Sequence, residues 1–143
     1  MIFLDSDHLT ILRFRSRERA RRLVDRIQHS NEIVGTTVIN VEEAMRGWMA
    51  TLAKERLIRR QIPAYRELAD LFNQFASLHI ALFDDISANE FDRLKGMKLK
   101  VGTMDLKTAA IALAHNALLL TANRRDFEHI SGLRFENWLD EKP

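Results

Sequence analysis

The chain opens on an unbroken apolar run, Met1 to Leu4, that stops at Asp5. A short run of this kind, ended by a polar residue, predicts a strand buried on both faces. The pattern then turns helical over Asp7 to Phe14 and Arg17 to His29, with Ala20, Leu23, Val24 and Ile27 on one face of the second segment. Ile33 to Ile39 is rich in β-branched residues between Asn31 and Asn40, and predicts a second strand. Asn40 then stands as a helix N-cap with Glu43 three residues on, a capping-box relation. This helix is expected to run to about Arg60, and another, with Pro63 as an early-turn residue, to about Leu78. His79 to Phe83 reads as a short strand and Ile86 to Lys95 as a helix ended near Gly96. Thr103 to Asn116 is helical, with Ala109, Ala110, Ala112 and Ala114 permitting close packing; Ala117 to Thr121 and Arg134 to Glu136 are the last two strands. Met45, Trp48, Met49 and Leu52 read as a core stripe, and Trp138 as the residue that docks the tail.

Strands alternating with helices predict an α/β fold in which a mainly parallel sheet is covered on both faces. At 143 residues, with two prolines and five glycines that never cluster into a linker, the chain is expected to be one domain over 1–143. It has no cysteine, which excludes disulfides, thiolate zinc sites and cysteine nucleophiles, and fits a reducing cytoplasm. Asp5 interrupts the apolar start before a signal-peptide core could form, and no stretch is long and apolar enough for a membrane span. The formal net charge is only +2, yet seven arginines fall between Arg13 and Arg26, and Lys54, Arg56, Arg59 and Arg60 form a second basic group. Such patches attract polyanions, although arginines also decorate any solvated helix face.

In parallel sheets, sites form beyond the carboxyl ends of the strands. Asp5 ends the first strand, Glu43 lies in the first helical turn after the second, Asp105 opens the alanine-rich helix, and Asp126 follows Leu118-Leu119-Leu120 by a few residues. Carboxylates brought together repel unless a cation stands among them. An all-oxygen set without His or Cys suits Mg²⁺ or Mn²⁺ and disfavours zinc, and such an ion activates water against a phosphodiester. Singly, Glu43 and Asp105 are also the acids the macrodipole favours at helix starts. His8, His29, His79, His115 and His129 show no metal-ligand spacing, and Gly96, Gly102 and Gly132 build no phosphate-cradling loop.

With these residues in view, the chain resembles the PIN-domain ribonucleases, and within them the VapC-type toxins of toxin–antitoxin pairs. Leu4-Asp5-Ser6-Asp7 is similar to the family's strand-end motif, and Thr37 to Gly47 to its second motif, in a register that selects Glu43 over Glu42. Met104-Asp105-Leu106 with Ala109-Ala110 resembles the third, and Thr121 to Phe127 followed by Gly132 to Trp138 the C-terminal block. The resemblance implies a three-layer α/β/α domain and Mg²⁺- or Mn²⁺-dependent RNA cleavage. It also implies a homodimer and a small antitoxin from a neighbouring gene. The metal set it implies is Asp5, Glu43, Asp105 and Asp126, supported by Asp7, Thr121 and Asn123. Two positions depart from the family. Asp7 replaces the usual asparagine, adding charge at the pocket rim, and Asn123 stands where many members carry their fourth acid. Whether Asp126 or Asn123 serves at that fourth position stays open. A PIN nuclease of RNA processing and a non-catalytic RNA- or protein-binding module of the same fold remain the alternatives.

Overall fold

The first apolar run forms β1 (Ile2–Leu4), buried along its whole length, and it becomes the centre of a parallel sheet. In the computed structural model, which describes residues 1–140, four further strands flank it: β2 (Val34–Thr37), β3 (His79–Ala81), β4 (Leu118–Leu120) and β5 (Arg134–Glu136). The order is β3-β2-β1-β4-β5, and every neighbouring pair is parallel. Side chains alternate across the sheet. Ile2, Leu4 and Leu120 face one layer with Leu9, Ile27, Phe75 and Leu78, whereas Phe3 and Leu119 face the other with Leu94, Ala109, Ala110, Ala112 and Phe127. Two apolar layers on one sheet make the expected three-layer α/β/α domain.

The helices among the described residues are α1 (Ser6–Leu12), α2 (Glu18–Ser30), α3 (Val38–Lys54), α4 (Ile58–Ala76), α5 (Asp85–Gly96), α6 (Thr103–Ala114) and α7 (Arg124–Phe127). Ala109, Ala110 and Ala112 of α6 are fully buried against the sheet, which is why a helix with so little amphipathic pattern holds there. Among the described residues, no helix is long and apolar enough to cross a membrane.

Five expectations change. β2 ends at Thr37 and not at Ile39, and Thr37, not Asn40, caps α3: its Oγ1 accepts the N–H of Asn40 at 3.2 Å. Val38 and Ile39 favour strand locally, but as the first turn of a helix they pack into the α6 side of the core, and tertiary burial overrides propensity. The helix expected to reach Arg60 stops at Lys54, because Glu55 adopts extended backbone and Gln61 Nε2 bonds the carbonyls of Leu52 and Glu55 across the corner. Pro63 accordingly lies inside α4, where its ring removes only the bond to the Arg59 carbonyl on an exposed face. Finally, Met45, Trp48, Met49 and Leu52 join neither core cluster, and Met49 is 58% exposed.

Gly35 in β2 lies so close to β3 that a Cβ would collide with the His79 backbone carbonyl, while a Cβ on Gly47 inside α3 would meet open space. Gly35→Ala is therefore expected to destabilise by about 1–3 kcal/mol. Gly47→Ala should stabilise by about 0.5–1 kcal/mol through helix propensity. Urea titration of both variants checks the pair, and equal effects would contradict the tight β2–β3 approach.

Candidate active site

Asp5 leaves β1 directly into the N-cap of α1, so strand and helix geometry together fix its carboxylate. It is 8% exposed, and neutral donors surround it. Its Oδ1 accepts the Ser6 N–H at 2.9 Å and Asn40 Nδ2 at 2.7 Å, and its Oδ2 accepts the Thr121 hydroxyl at 2.7 Å. β1 lies between β2 and β4 in the sheet. Asn40 therefore reaches Asp5 from the helix after β2, and Thr121 from the end of β4. Glu43, one turn beyond Asn40, accepts the Ser6 hydroxyl on Oε2 at 2.8 Å, while Asn40 Nδ2 also donates to that hydroxyl at 3.2 Å. Its neighbour Glu42 pairs with Arg46 at 2.7 Å, so the adjacent acids point to different partners. On the far side, Asn123 Nδ2 donates to Asp105 Oδ2 at 3.3 Å and to Asp126 Oδ2 at 3.0 Å, standing between the two carboxylates.

The electrostatics follow from burial without cations. None of the ion pairs among the described residues involves Asp5, Glu43, Asp105 or Asp126. Burial raises the Asp5 carboxyl above its ordinary range, outweighing the Thr121, Ser6 and Asn40 hydrogen bonds. Burial likewise raises Glu43, with Asp5 and Glu42 adding repulsion. Asp105 moves furthest, to about 6, first through burial and then through the charges of Asp5, Glu43 and Asp126. Carboxylates that raise one another this way share one field, although they come from four separate stretches of the chain.

Among the described residues, no three His, Cys, Asp or Glu side chains are gathered closely enough to hold an ion by themselves. Mg²⁺ does not need such a cage, because it keeps several waters and takes one or two carboxylates. The donor set fits a hard divalent cation: all oxygens, partly desolvated, and mutually repelling.

Asp7 stands beside the site: its charge adds to the repulsion on Asp5, and its Oδ2 lies 3.5 Å from the Thr121 hydroxyl. Its Oδ1 accepts the backbone N–H of His8 at 2.7 Å and lies 2.5 Å from His8 Nδ1, and its Oδ2 accepts the Ala122 N–H at 2.8 Å. Burial opposes its charge, but these bonds outweigh it and hold the carboxyl below its ordinary range. Ser6 and Asn40 are site residues that sequence patterns do not single out, since Ser6 reads only as part of the Leu4–Asp7 motif and Asn40 as a helix cap. A cleft of about 440 Å³ runs from Ser6 and Glu43 past Leu9, Trp48 and Leu71 to Phe14 and Phe75, which explains why Trp48 is not core.

The Asp105 shift sets a pH dependence. In the unfolded chain its carboxyl ionises near 3.8, and in the folded chain at about 6. Between these values the unfolded state gives up a proton that the folded state keeps, so stability without metal falls as pH rises through that window. Asp105→Asn deletes one repelling charge. It should match wild type below about pH 4 and melt at a higher temperature above about pH 7 when both are metal-free. A mutant less stable at both ends would reduce Asp105 to a helix-start residue.

The PIN domain family model matches residues 2–133. No curated protein matches the chain in sequence. Among solved structures, a chain of VapBC2 from Rickettsia felis bound to a promoter DNA fragment superposes with a TM-score of 0.71 at 22% identity, over 96% of this chain and 99% of that one. A chain of DNA-bound VapBC from Salmonella typhimurium gives 0.76 at 21% identity, over 96% and 97%. A chain of FitAcB from Neisseria gonorrhoeae gives 0.68 at 20% identity, over 96% and 98%. At these identities the likeness speaks to the fold, and the fold is the one the sheet order and layers describe. With the family model spanning nearly the whole chain, this protein belongs to the PIN domain family.

Proposed function

We propose that the chain is a divalent-metal-dependent endoribonuclease, the toxin of a toxin–antitoxin pair. The observation that carries this reading is the convergence of Asp5, Glu43, Asp105 and Asp126 at the carboxyl end of the sheet, with no cationic side chain among the described residues paired to them. Asp5 and Asp105 are the residues that would hold Mg²⁺ or Mn²⁺, with Glu43 completing the set and Asp126 supporting a second ion or a water. Such an ion supplies a water of lowered pKa and a clamp on a non-bridging phosphate oxygen. The chain's own residues do the rest. Thr121, Ser6 and Asn40 aim Asp5, Ser6 aims Glu43, and Asn123 sets where Asp105 and Asp126 stand. Glu43, half-buried beside Ser6, is also the group placed to orient an attacking water. The basic stretch from Arg13 to Arg26 adds attraction for a polyanion.

The structural neighbours are toxin–antitoxin complexes, and the cleft beside Glu43 supports an antitoxin as partner for this chain too. Its walls, Leu9, Phe14, Trp48, Leu71 and Phe75, suit the apolar face of a peptide. A basic side chain on that peptide would reach the carboxylates at the end and stand in for the cation. The exposed Ile58, Ile62, Tyr65 and Phe72 of α4 support a homodimer, since large apolar side chains grouped on one surface mark an interface.

RNA cleavage is expected to require Mg²⁺ or Mn²⁺ and to be lost in Asp5→Asn, Glu43→Gln and Asp105→Asn; full activity in excess EDTA would sink the metal mechanism. Activity lost in Glu42→Gln but kept in Glu43→Gln would put the wrong acid in the site. Saturating metal should raise the melting temperature, with about 2.7 kcal/mol gained at 100 times the dissociation constant. The antitoxin encoded beside this gene should inhibit wild type at lower concentration than it inhibits Trp48→Asp. A strict monomer by light scattering at tens of micromolar, as an order of magnitude for such interfaces, would count against the dimer.

A further inference from the structure

Behind the carboxylates lies a buried polar network that the proposed chemistry leaves unused. His8 is fully buried in α1, and both ring nitrogens are engaged. Nδ1 lies 2.5 Å from Asp7 Oδ1, and Nε2 accepts the backbone N–H of Trp138 at 3.2 Å. A backbone N–H only donates, so Nε2 is the acceptor and the ring carries its proton on Nδ1, pointed at Asp7. Asp7 passes the constraint on. Its Oδ2 takes the N–H of Ala122, the first residue beyond β4's last sheet bond, made by the Thr121 N–H to the Glu136 carbonyl at 3.0 Å.

Ala122 sits in the stretch that carries the far half of the acidic site. Thr121 Oγ1 donates to Asp5 and accepts the Asn123 N–H at 3.0 Å, and Asn123 reaches Asp105 and Asp126. Asn123 makes no side-chain cap to α7, a single turn of four residues anchored by the buried Phe127, so the stretch between Thr121 and α7 leans on these bonds. We propose that Asp7 and His8 are a positioning pair, clamping Ala122 so that Asn123 holds Asp105 and Asp126 at their working separation.

The chemistry of the pair is asymmetric in a testable way. Asp7 accepts from His8 on one oxygen and from Ala122 on the other, so it needs two acceptors. Asparagine offers one acceptor and one NH₂, and in either orientation an N–H is left facing an N–H. Asp7→Asn therefore releases either the ring or the loop, despite its matching shape. At position 8 the two bonds can be separated. Asparagine keeps a donor near the place of Nδ1 and loses the acceptor for Trp138; glutamine keeps an acceptor near the place of Nε2 and loses the donor to Asp7. If the pair positions the loop, His8→Asn resembles wild type more than His8→Gln does. If His8 merely fills space and anchors the C-terminal segment, the order reverses.

The first test is amide hydrogen exchange at Ala122, whose side chain is exposed and whose N–H takes the Asp7 carboxylate as its partner. Exchange should be slow in wild type and in His8→Asn, and at least tenfold faster, as an order of magnitude, in Asp7→Asn and His8→Gln. Unchanged protection in Asp7→Asn overturns the proposal, as does the reversed order at position 8. Long-range ¹H–¹⁵N spectra of wild type give an independent reading that needs no variant to fold: His8 protonated on Nδ1 supports the pair, and protonation on Nε2 overturns it. The kinetic arm alone rests on the nuclease reading. There kcat should fall about 10–100-fold in Asp7→Asn and His8→Gln, as for groups that orient a metal ligand, with KM for RNA little changed. A wild type without nuclease activity would defeat the proposed function, while exchange and tautomer would still decide the positioning role.

Discussion

The structure turns on one buried charge. Asp5 ends the central strand, and no cationic side chain among the described residues pairs with it, so its carboxylate leans on the donors that the rest of the fold delivers. Ser6 comes from its own helix turn, Asn40 from the helix after β2, and Thr121 from the end of β4. Each arrives because β1 is hydrogen-bonded to both β2 and β4 in parallel, which puts the carboxyl ends of three strands side by side. A sheet order with β1 at an edge would leave one side of Asp5 without its donor. The demand of one carboxylate and the topology of the sheet are therefore a single constraint.

The same arrangement concentrates negative charge at one edge of the sheet. Donors that satisfy Asp5 do not remove its field, and Glu43 and Asp105 feel it as a raised cost of ionisation. Folding energy spent on burying Ile2, Phe3 and Leu4 on both faces of β1 thus holds charges in mutual repulsion. A bound divalent ion would relieve that repulsion, which couples occupancy of the site to stability of the domain.

Much of this was legible in the sequence because the signals were long or terminal. Met1 to Leu4 could be little else than a buried strand, and the alanine-rich Thr103 to Asn116 segment little else than a close-packed helix. The order of elements gave the parallel sheet, and from it the edge where the acids meet. Misreadings arose where a local preference competed with a distant contact. Val38 and Ile39 look like strand until the core offers them a helical turn, and that shift moved the cap from Asn40 to Thr37 and freed the Asn40 amide for Asp5. Trp48 looks like core until the chain folds back at Glu55 into α4 and leaves a cleft that it lines, and Met49 turns out to solvent. Ser6 carried no signal, since a serine after an aspartate at a helix start is ordinary capping sequence; only the fold brings Glu43 to its hydroxyl.

Asn123 shows how the departure from the family's acidic pattern works physically. A carboxylate here would add another negative charge beside Asp105, whose carboxyl is already raised to about 6. The amide instead donates to Asp105 and Asp126 together, setting the positive end of a dipole against two like charges. A neutral donor offsets only part of the repulsion, so Asp105 still titrates high. The amide also works as a spacer, because both bonds leave one nitrogen and their geometry sets how far apart the carboxylates stand. The residue that reads as a missing ligand in sequence is, in the folded chain, a contact that joins Asp126 to the acidic group beside its direct interaction with Asp105, and the position of its backbone bears on how that group is spread.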